Sequence, residues 1–489
     1  MKRDTIRLAR MPDRLVSDDK RVIPRYLDLG SQRRIRDIFR RVNKIEPDRA
    51  RELLREIRKN YAGRHRDLDE AFLRHYAIAA RNLRKVGELA REQKLLVGAY
   101  FTMEYSIEAA ALFNPSIVPH PDQSGLDVGS VRVLMSLRAT GEGHISSIVF
   151  RRAIVDRRGS ITFPPPPRYA YAARLERDRT LSKNVFIRRL RDRHLFSDDA
   201  AVVAGHLGEM FTRNQLKTAI NRAASSPELT AGVRRLSNQL MWMALANYEL
   251  DYPRDCHPEE IVLFPATRYE SNGMEDTRLV RFVEDDGTVR YYGTYTAYDG
   301  QRIYPMLLET QDFHTFHIAT LWGRYSKNKG MALFPRKVNG SYVMLSRHDG
   351  ENNYVLTSHN PYVWNTATKL QSPTEPWELV QLGNCGSPLE TEAGWLVITH
   401  GVGPVRRYCL GAILLDLDEP TRVIGRLRRP FLVPTARERA GYVPNVVYTC
   451  GCMIHRGHLT VPYAMADSRV SFVSLVVRTL LQRLVDAGP

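Results

Sequence analysis

From about Glu260 to Tyr463 the chain is a succession of short apolar runs. They are Ile261–Phe264, Arg278–Phe282, Arg290–Tyr298, Ile303–Leu308, Phe316–Leu321, Tyr342–Leu345, Trp395–Thr399, Tyr408–Leu415 and Asn445–Tyr448, punctuated by Gly, Pro, Asn and Asp. Runs this short suit strands rather than helices. The punctuation supplies hairpin turns, such as Asp285-Asp286-Gly287 and the Asn339-Gly340 pair inside Lys337–Arg347. A stretch built this way folds as a sandwich, a barrel or a propeller, and the spacing of the Gly-bounded strand groups favours a propeller. No strict repeat is visible, which excludes a WD-type array. Three upstream runs, Val131–Arg138, His144–Arg151 and Ala153–Asp156, carry the same β character.

Helical patterns flank and interrupt this region. Residues 1–30 read as irregular, with Pro12, Pro24 and Gly30 as breakers. From Ser31 to Leu95, apolar residues recur at three and four: Ile35, Ile38, Phe39 and Val42, then Leu53, Leu54 and Ile57, then Phe72, Tyr76 and Leu83. This spacing predicts three to four helices. Leu95–Ser106 is apolar and ambiguous, whereas the alanines of Ile107–Phe113 favour helix, stopped by Asn114-Pro115. Pro164–Pro167 breaks the chain, and residues 180–247 return to helical spacing as an insertion. Ser468–Val485 is amphipathic and reads as a closing helix. The division expected is a helical region at 1–99, a β domain at 100–467 with its insertion at about 180–247, and a C-terminal helix at 468–489.

Charge and cysteine content narrow the partners. The chain carries +18, and residues 1–100 hold 27 Lys and Arg against 15 Asp and Glu, about two thirds of the excess. These basic residues alternate with acids along helical turns, and no aromatic platform is interleaved with them. That suits a solvated face or a subunit contact, hence a homo-oligomer through the N-terminal helices, better than nucleic acid. Five scattered cysteines do not make a disulfide framework, and Cys450-Gly-Cys452 lacks the spacing of a common zinc knuckle, so no metal site is expected. No run of about 18 apolar residues offers a membrane span. The N-terminus lacks an apolar signal core, so a cytoplasmic protein is expected.

Polar clusters at predicted strand ends carry the chemistry. In Ser271–Val280 two adjacent carboxylates, Glu275 and Asp276, precede Arg278. Alternation along a strand puts Asp276 and Arg278 on one face, so that only one of the two carboxylates faces a given cleft. Lys327 and Lys329 stand just before an apolar strand, Arg347 ends a hairpin and His400 ends a strand. Taken singly, such residues are most often solvated or structural.

Taken in order, they are similar to the motifs of glycoside hydrolase family 130, the inverting β-mannoside phosphorylases and β-mannosidases. The matching stretches are Phe113-Asn-Pro-Ser116, Glu275-Asp-Thr-Arg278, Lys329–Pro335, Arg347, Gly394–Val402 through His400, Val443-Pro-Asn-Val446 and Ala466-Asp467. The resemblance implies an all-β core in the form of a five-bladed β-propeller, with the N-terminal helical region, the helical insertion and the C-terminal helix added on. It implies Asp276 as catalytic acid, with Lys329, Arg347 and His400 binding phosphate. Asn114, Arg138, Arg278 and Asp467 would surround the reacting sugar. The implied acid protonates the leaving oxygen indirectly, through a hydroxyl of the bound mannose. Thr277 replaces the more usual proline, and His348-Asp-Gly-Glu351 departs from the usual sequence after Arg347.

An inverting hydrolase needs an acid and a base on opposite faces of the sugar. An inverting phosphorylase needs only the acid, because inorganic phosphate is an anionic nucleophile, and it needs cations to hold that phosphate. No other cofactor is called for. Three cationic positions favour phosphorolysis of a β-mannoside to α-mannose 1-phosphate and a shortened acceptor. A hydrolase remains open, with Glu390, Glu392 or Asp467 as base, and a non-catalytic binding propeller is the third reading.

Overall fold

The computed structural model describes residues 6–11, 15–61, 63–81, 83, 87–173, 180–192, 195–225 and 230–489, so that Pro12 lies outside the described residues. The protein is sheet-rich, and its strands fall into successive antiparallel groups. Ala111–Pro119, Val131–Thr140 and Ser146–Val155 form the first. Gly273–Val283, Val289–Tyr298, Ile303–Thr310 and Thr315–Thr320 form the second, with Tyr248–Asp251 at its edge. One parallel pairing, Gly273 with Ser146, joins these two into a ten-stranded sheet. Ala332–Leu333, Tyr342–Ser346, Asn353–Ser358 and Thr366–Gln371 form the next group. Gln381–Asn384, Leu389–Thr391, Gly394–Gly403, Arg407–Leu415 and Val423–Arg426 follow. The last group contains Val447–Tyr448, Met453–His455, His458–Met465 and Arg469–Val476.

The hydrophobic core lies between these groups. Leu134 and Phe150 pack with Leu279 and Tyr291, Phe282 with Met344, Val343 with Trp395, and Leu396 with Val461. Val133 and Met135 of the first group pack with Val470 and Phe472 of the last. Backbone bonds cross the same seam, from Leu112 N to Ser468 O at 3.3 Å and from Cys450 N to Pro115 O at 2.8 Å. A cavity of about 430 Å³ is lined by segments of every group, among them Val118, Leu279, Pro335, Ser387 and Cys452.

The N-terminal periodicity is realised as Gln32–Asn43, Pro47–Tyr61, Leu68–Arg81 and Arg91–Tyr100. Ile35, Phe39 and Val42 turn one face of the first helix inward, and Ser31 caps it by accepting a bond from Arg34 N. The insertion is helical too, over Lys183–Asp192, Asp198–Gly205, Arg213–Ala223 and Thr230–Leu245, around a core that includes Phe211, Leu216 and Leu240. No helix among the described residues is long and apolar enough to cross a membrane.

Three expectations are corrected. Residues 1–30 are not wholly irregular: Ala9–Arg10 and Leu15–Val16 pair along Arg469–Val476, and Val22–Tyr26 pairs with Thr102–Ser106. Ile107–Phe113 is not a helix. Ala110 N bonds Thr140 O at 2.9 Å and a strand begins at Ala111, so cross-strand pairing overrides alanine's helix propensity. The closing helix begins only at Val477, because Arg469–Val476 is a strand buried on both faces.

Candidate active site

The pairing of Gly273–Val283 with its neighbour shifts register between Glu275 and Arg278, and Asp276 stands at φ +58°. The irregularity breaks strict alternation. Arg138 therefore clasps both carboxylates, with Nη2 donating to Glu275 Oε1 at 2.7 Å and Nη1 to Asp276 Oδ1 at 3.4 Å. The expectation that only one of the two can face a cleft is thus corrected. Arg278 does not pair with the Asp276 carboxylate either. It donates to the Asp276 carbonyl at 3.0 Å, the Cys385 carbonyl at 2.9 Å and the Tyr448 hydroxyl at 2.7 Å. Arg278 braces the bulge from below.

Asn114 reaches the same carboxylate from a second irregularity, at φ +49° within Ala111–Pro119. Its Nδ2 donates to Asp276 Oδ1 at 2.6 Å. Left-handed backbone recurs at Asn328, Asn445, Ala466 and Asp467. Asn and Asp tolerate that region best, yet each such residue still costs of order 1 kcal/mol, a strain that gathers at functional sites.

The charges separate the carboxylates. Burial pushes the Asp276 pKa up, but Arg138, Lys329 and Arg278 and the Asn114 bond outweigh it, so its net displacement is downward and it is ionised in the free protein. Asp467 goes the other way. Burial and then the Asp276 charge push it up to about 6, against the pull of Arg138 and Arg406. The site thus holds one carboxyl that keeps its charge and one that keeps its proton in mildly acidic solution.

Arg347 and His400 meet across Gly383. A Cβ there would stand 2.5 Å from His400 Cε1 and 3.1 Å from Arg347 Cδ, so only glycine fits. Arg347 Nε and Nη1 are buried and meet no acceptor among the described residues, and both amide atoms of Asn384 are likewise unpartnered. His400 is 2% exposed. Burial, then Arg347 and Arg278, hold its pKa well below 6.5, so it is neutral. Lys329 lies beside Gly330, whose added Cβ would be 3.6 Å from Arg347 Cβ, but its ammonium is paired with Glu275 Oε2.

Two of the carboxylates considered as a base lie elsewhere. Glu390 pairs with Trp395 in register, while His400 pairs with Leu410. Five residues of strand separate those rungs, about 17 Å at 3.3 Å per residue. Glu390 instead forms a two-pronged ion pair with Arg336, at 2.6 and 3.0 Å, and Glu392 is exposed in the adjoining turn. Glu275 stands out in the sequence beside Asp276 but is given no role there, and Gly383 and Asn384 are not singled out. Strict alternation turned Glu275 away, and Gly383-Asn384 sat unremarked in the segment before His400.

Asp467 gives a stability test. Its rise from 3.8 to about 6 is worth at most about 3 kcal/mol at about 1.4 kcal/mol per unit, less for its partial exposure. The folded protein binds this proton more tightly than the unfolded chain, so the contribution is complete below about pH 4 and is lost as pH rises through about 6. Asp467→Asn should therefore gain thermal stability over the wild type between pH 4 and 7.5. An unchanged difference across that range in melting experiments would refute the assignment.

Carboxylates set at opposing pKa values and ringed by fixed cations are an arrangement suited to acid–base chemistry. A family profile described as beta-1,4-mannooligosaccharide phosphorylase matches residues 252–485. The 1,2-beta-oligomannan phosphorylase of Thermoanaerobacter sp. (strain X514) is 33% identical over 231 residues, 45% of this chain and 73% of that protein. The beta-1,4-mannooligosaccharide phosphorylase of Ruminococcus albus is 30% identical over 267 residues, 50% of this chain and 78% of that one. The solved beta-1,2-mannobiose phosphorylase of Listeria innocua, in complex with beta-1,2-mannobiose, aligns with 77% of this chain and 92% of its own at 18% identity and a TM-score of 0.47. The chain belongs to glycoside hydrolase family 130.

Proposed function

We propose that the protein catalyses inverting phosphorolysis of β-mannosides, releasing α-mannose 1-phosphate and a shortened acceptor. The observation that carries this reading is the pair of buried N–H groups of Arg347, which meet no acceptor among the described residues, beside Asn384 and neutral His400. Buried donors without acceptors are costly unless a ligand meets them, and a phosphate does so by accepting several hydrogen bonds at once. The relatives' names support both β-1,2 and β-1,4 mannosides as substrates.

The fold enters as a five-bladed propeller. The ten-stranded sheet divides at its single parallel pairing into two blades, and the other three groups supply one each. Packing of the first group on the last and a cavity lined by all five support closure of the ring. The active site then occupies one mouth of the central funnel, with Asn114 and Arg138 from the first blade, Asp276 from the second, Lys329 and Arg347 from the third, His400 from the fourth and Asp467 from the fifth.

Asp276 has to carry a proton at the moment the glycosidic oxygen leaves, although it is ionised at rest. Phosphate resolves this. An anion that draws on Lys329 offsets part of the positive charge that holds Asp276 down, and a sugar over the site excludes water, so both raise its pKa. Phosphate and sugar together therefore shift Asp276 toward the protonated form that the reaction needs. Asn114 and Arg138 hold Oδ1 and leave Oδ2 for the sugar. A hydrolase would need a carboxylate base on the opposite face; the positions of Glu390 and Glu392 argue against those two, which leaves Asp467 as the candidate of the three that stands at the site.

The test is an assay of β-1,2- and β-1,4-mannobiose with and without inorganic phosphate. The expected result is sugar 1-phosphate of α configuration, formed only when phosphate is added. Phosphate-independent release of mannose would establish the hydrolase instead.

A further inference from the structure

We infer that His144 and Tyr442 form a stacking platform at the rim of the funnel for sugar units of the leaving chain beyond the one at the scissile bond. This rests on the phosphorylase reading above, because an inverting displacement puts nucleophile and leaving group on opposite faces of the reacting carbon. Phosphate would sit at the junction of the third and fourth blades. In a ring of five, the side opposite that junction is the first blade, where His144 follows Arg138 along the chain, flanked by the fifth blade, where Gly441 and Val443, on either side of Tyr442, meet Ala466.

The two rings are 5.8 Å apart and inclined at 28°, and Tyr442 Oη lies 3.2 Å from His144 Nδ1. Both are held by rigid backbone. His144 stands at φ +61°, its N–H bonds the Gly141 carbonyl at 3.1 Å, and Tyr105 Oη donates to the Glu142 carbonyl at 2.7 Å. Beside Tyr442, Val443 N bonds Ala466 O at 2.9 Å, and an added Cβ at Gly441 would stand 2.7 Å from that same oxygen. Tyr442 is nevertheless 53% exposed, while Asn114 is 5% exposed and His400 2%. The polar floor is buried and the aromatic rim is open, so the rim meets the chain further from the bond that breaks. Val405, 84% exposed, and Arg406 stand on a neighbouring strained turn, and the Arg406 charge reaches Asp467. A pyranose presents an apolar face of C–H groups, which packs on the electron-rich face of an aromatic ring at little entropic cost when the ring is already fixed.

The experiment is calorimetric titration of the full chain, without phosphate, with β-mannosides of two and four sugar units. Tyr442→Ala and His144→Ala should weaken tetrasaccharide binding about tenfold, and disaccharide binding by less than about twofold. Tyr442→Phe keeps the ring and should stay within about threefold of wild type on both. Equal affinity of wild type and both alanine variants for the tetrasaccharide would overturn the platform, and so would an equal loss on both lengths. A wild type that binds both but degrades them without phosphate refutes phosphorolysis alone, and length dependence still decides the platform. A wild type that binds neither overturns both.

Discussion

Asp276→Asn should lower turnover of a β-mannoside by a hundredfold to ten-thousandfold, about what the loss of a general acid costs, while leaving the protein folded and able to bind sugar. Asparagine is the replacement that isolates the chemistry. It has the same shape, it accepts from Asn114 and Arg138 through its amide oxygen, and it tolerates the left-handed backbone at φ +58°. Asp276→Ala mixes two effects, since an alanine at that φ adds a conformational cost of about 1 kcal/mol. The measurement is phosphate-dependent release of sugar 1-phosphate, beside the melting temperature of each variant. An Asp276→Asn enzyme of near-normal rate would transfer the acid role elsewhere, with Asp467, pushed up to about 6, the first group to test.

The bulge at Asp276 also marks where sequence reasoning stops. Hairpins and strand groups were readable because each needs only local chemistry: Asn339 and Gly340 both adopt positive φ, as a two-residue turn between strands demands. Strand alternation predicts faces only while the ladder is regular, and it fails at the two irregularities that build the site, at Asn114 and Asp276. Glu275 was lost to that failure, although it joins Arg138 to Lys329. Burial on both faces hides periodicity of either kind, which is why Arg469–Val476 reads as helix until the strands Ala9–Arg10 and Leu15–Val16 are seen against it. Thr366–Gln371, largely exposed at the edge of its sheet, carries too few apolar residues to stand out. Asn114 and Arg138 lie outside residues 252–485, yet they hold the carboxylate at the centre of that matched stretch.

Removing Arg347 should raise the KM for phosphate tenfold to a hundredfold and leave the affinity for the sugar nearly unchanged. A hydrogen bond to a charged group contributes about 1.5–3 kcal/mol, and Arg347 offers two buried donors with no competing acceptor among the described residues. Burial strengthens each, because the surrounding protein screens charge less than water does. Arg347→Lys should fall between wild type and Arg347→Ala: the charge survives but the planar fork does not. The loss also propagates to His400, whose pKa is held down by burial first and by Arg347 next. Without the guanidinium that pKa moves upward, so phosphate binding by Arg347→Ala should recover in part as pH falls and His400 gains charge, a trend the wild type lacks. Lys329 provides the contrast. Its ammonium is engaged by Glu275, so phosphate must compete for it, and Lys329→Ala should weaken phosphate less than Arg347→Ala does. Phosphate kinetics across pH 5 to 8 for the three variants test the argument as a whole. A phosphate KM indifferent to Arg347 would remove the anion cradle on which the choice of phosphate over water depends.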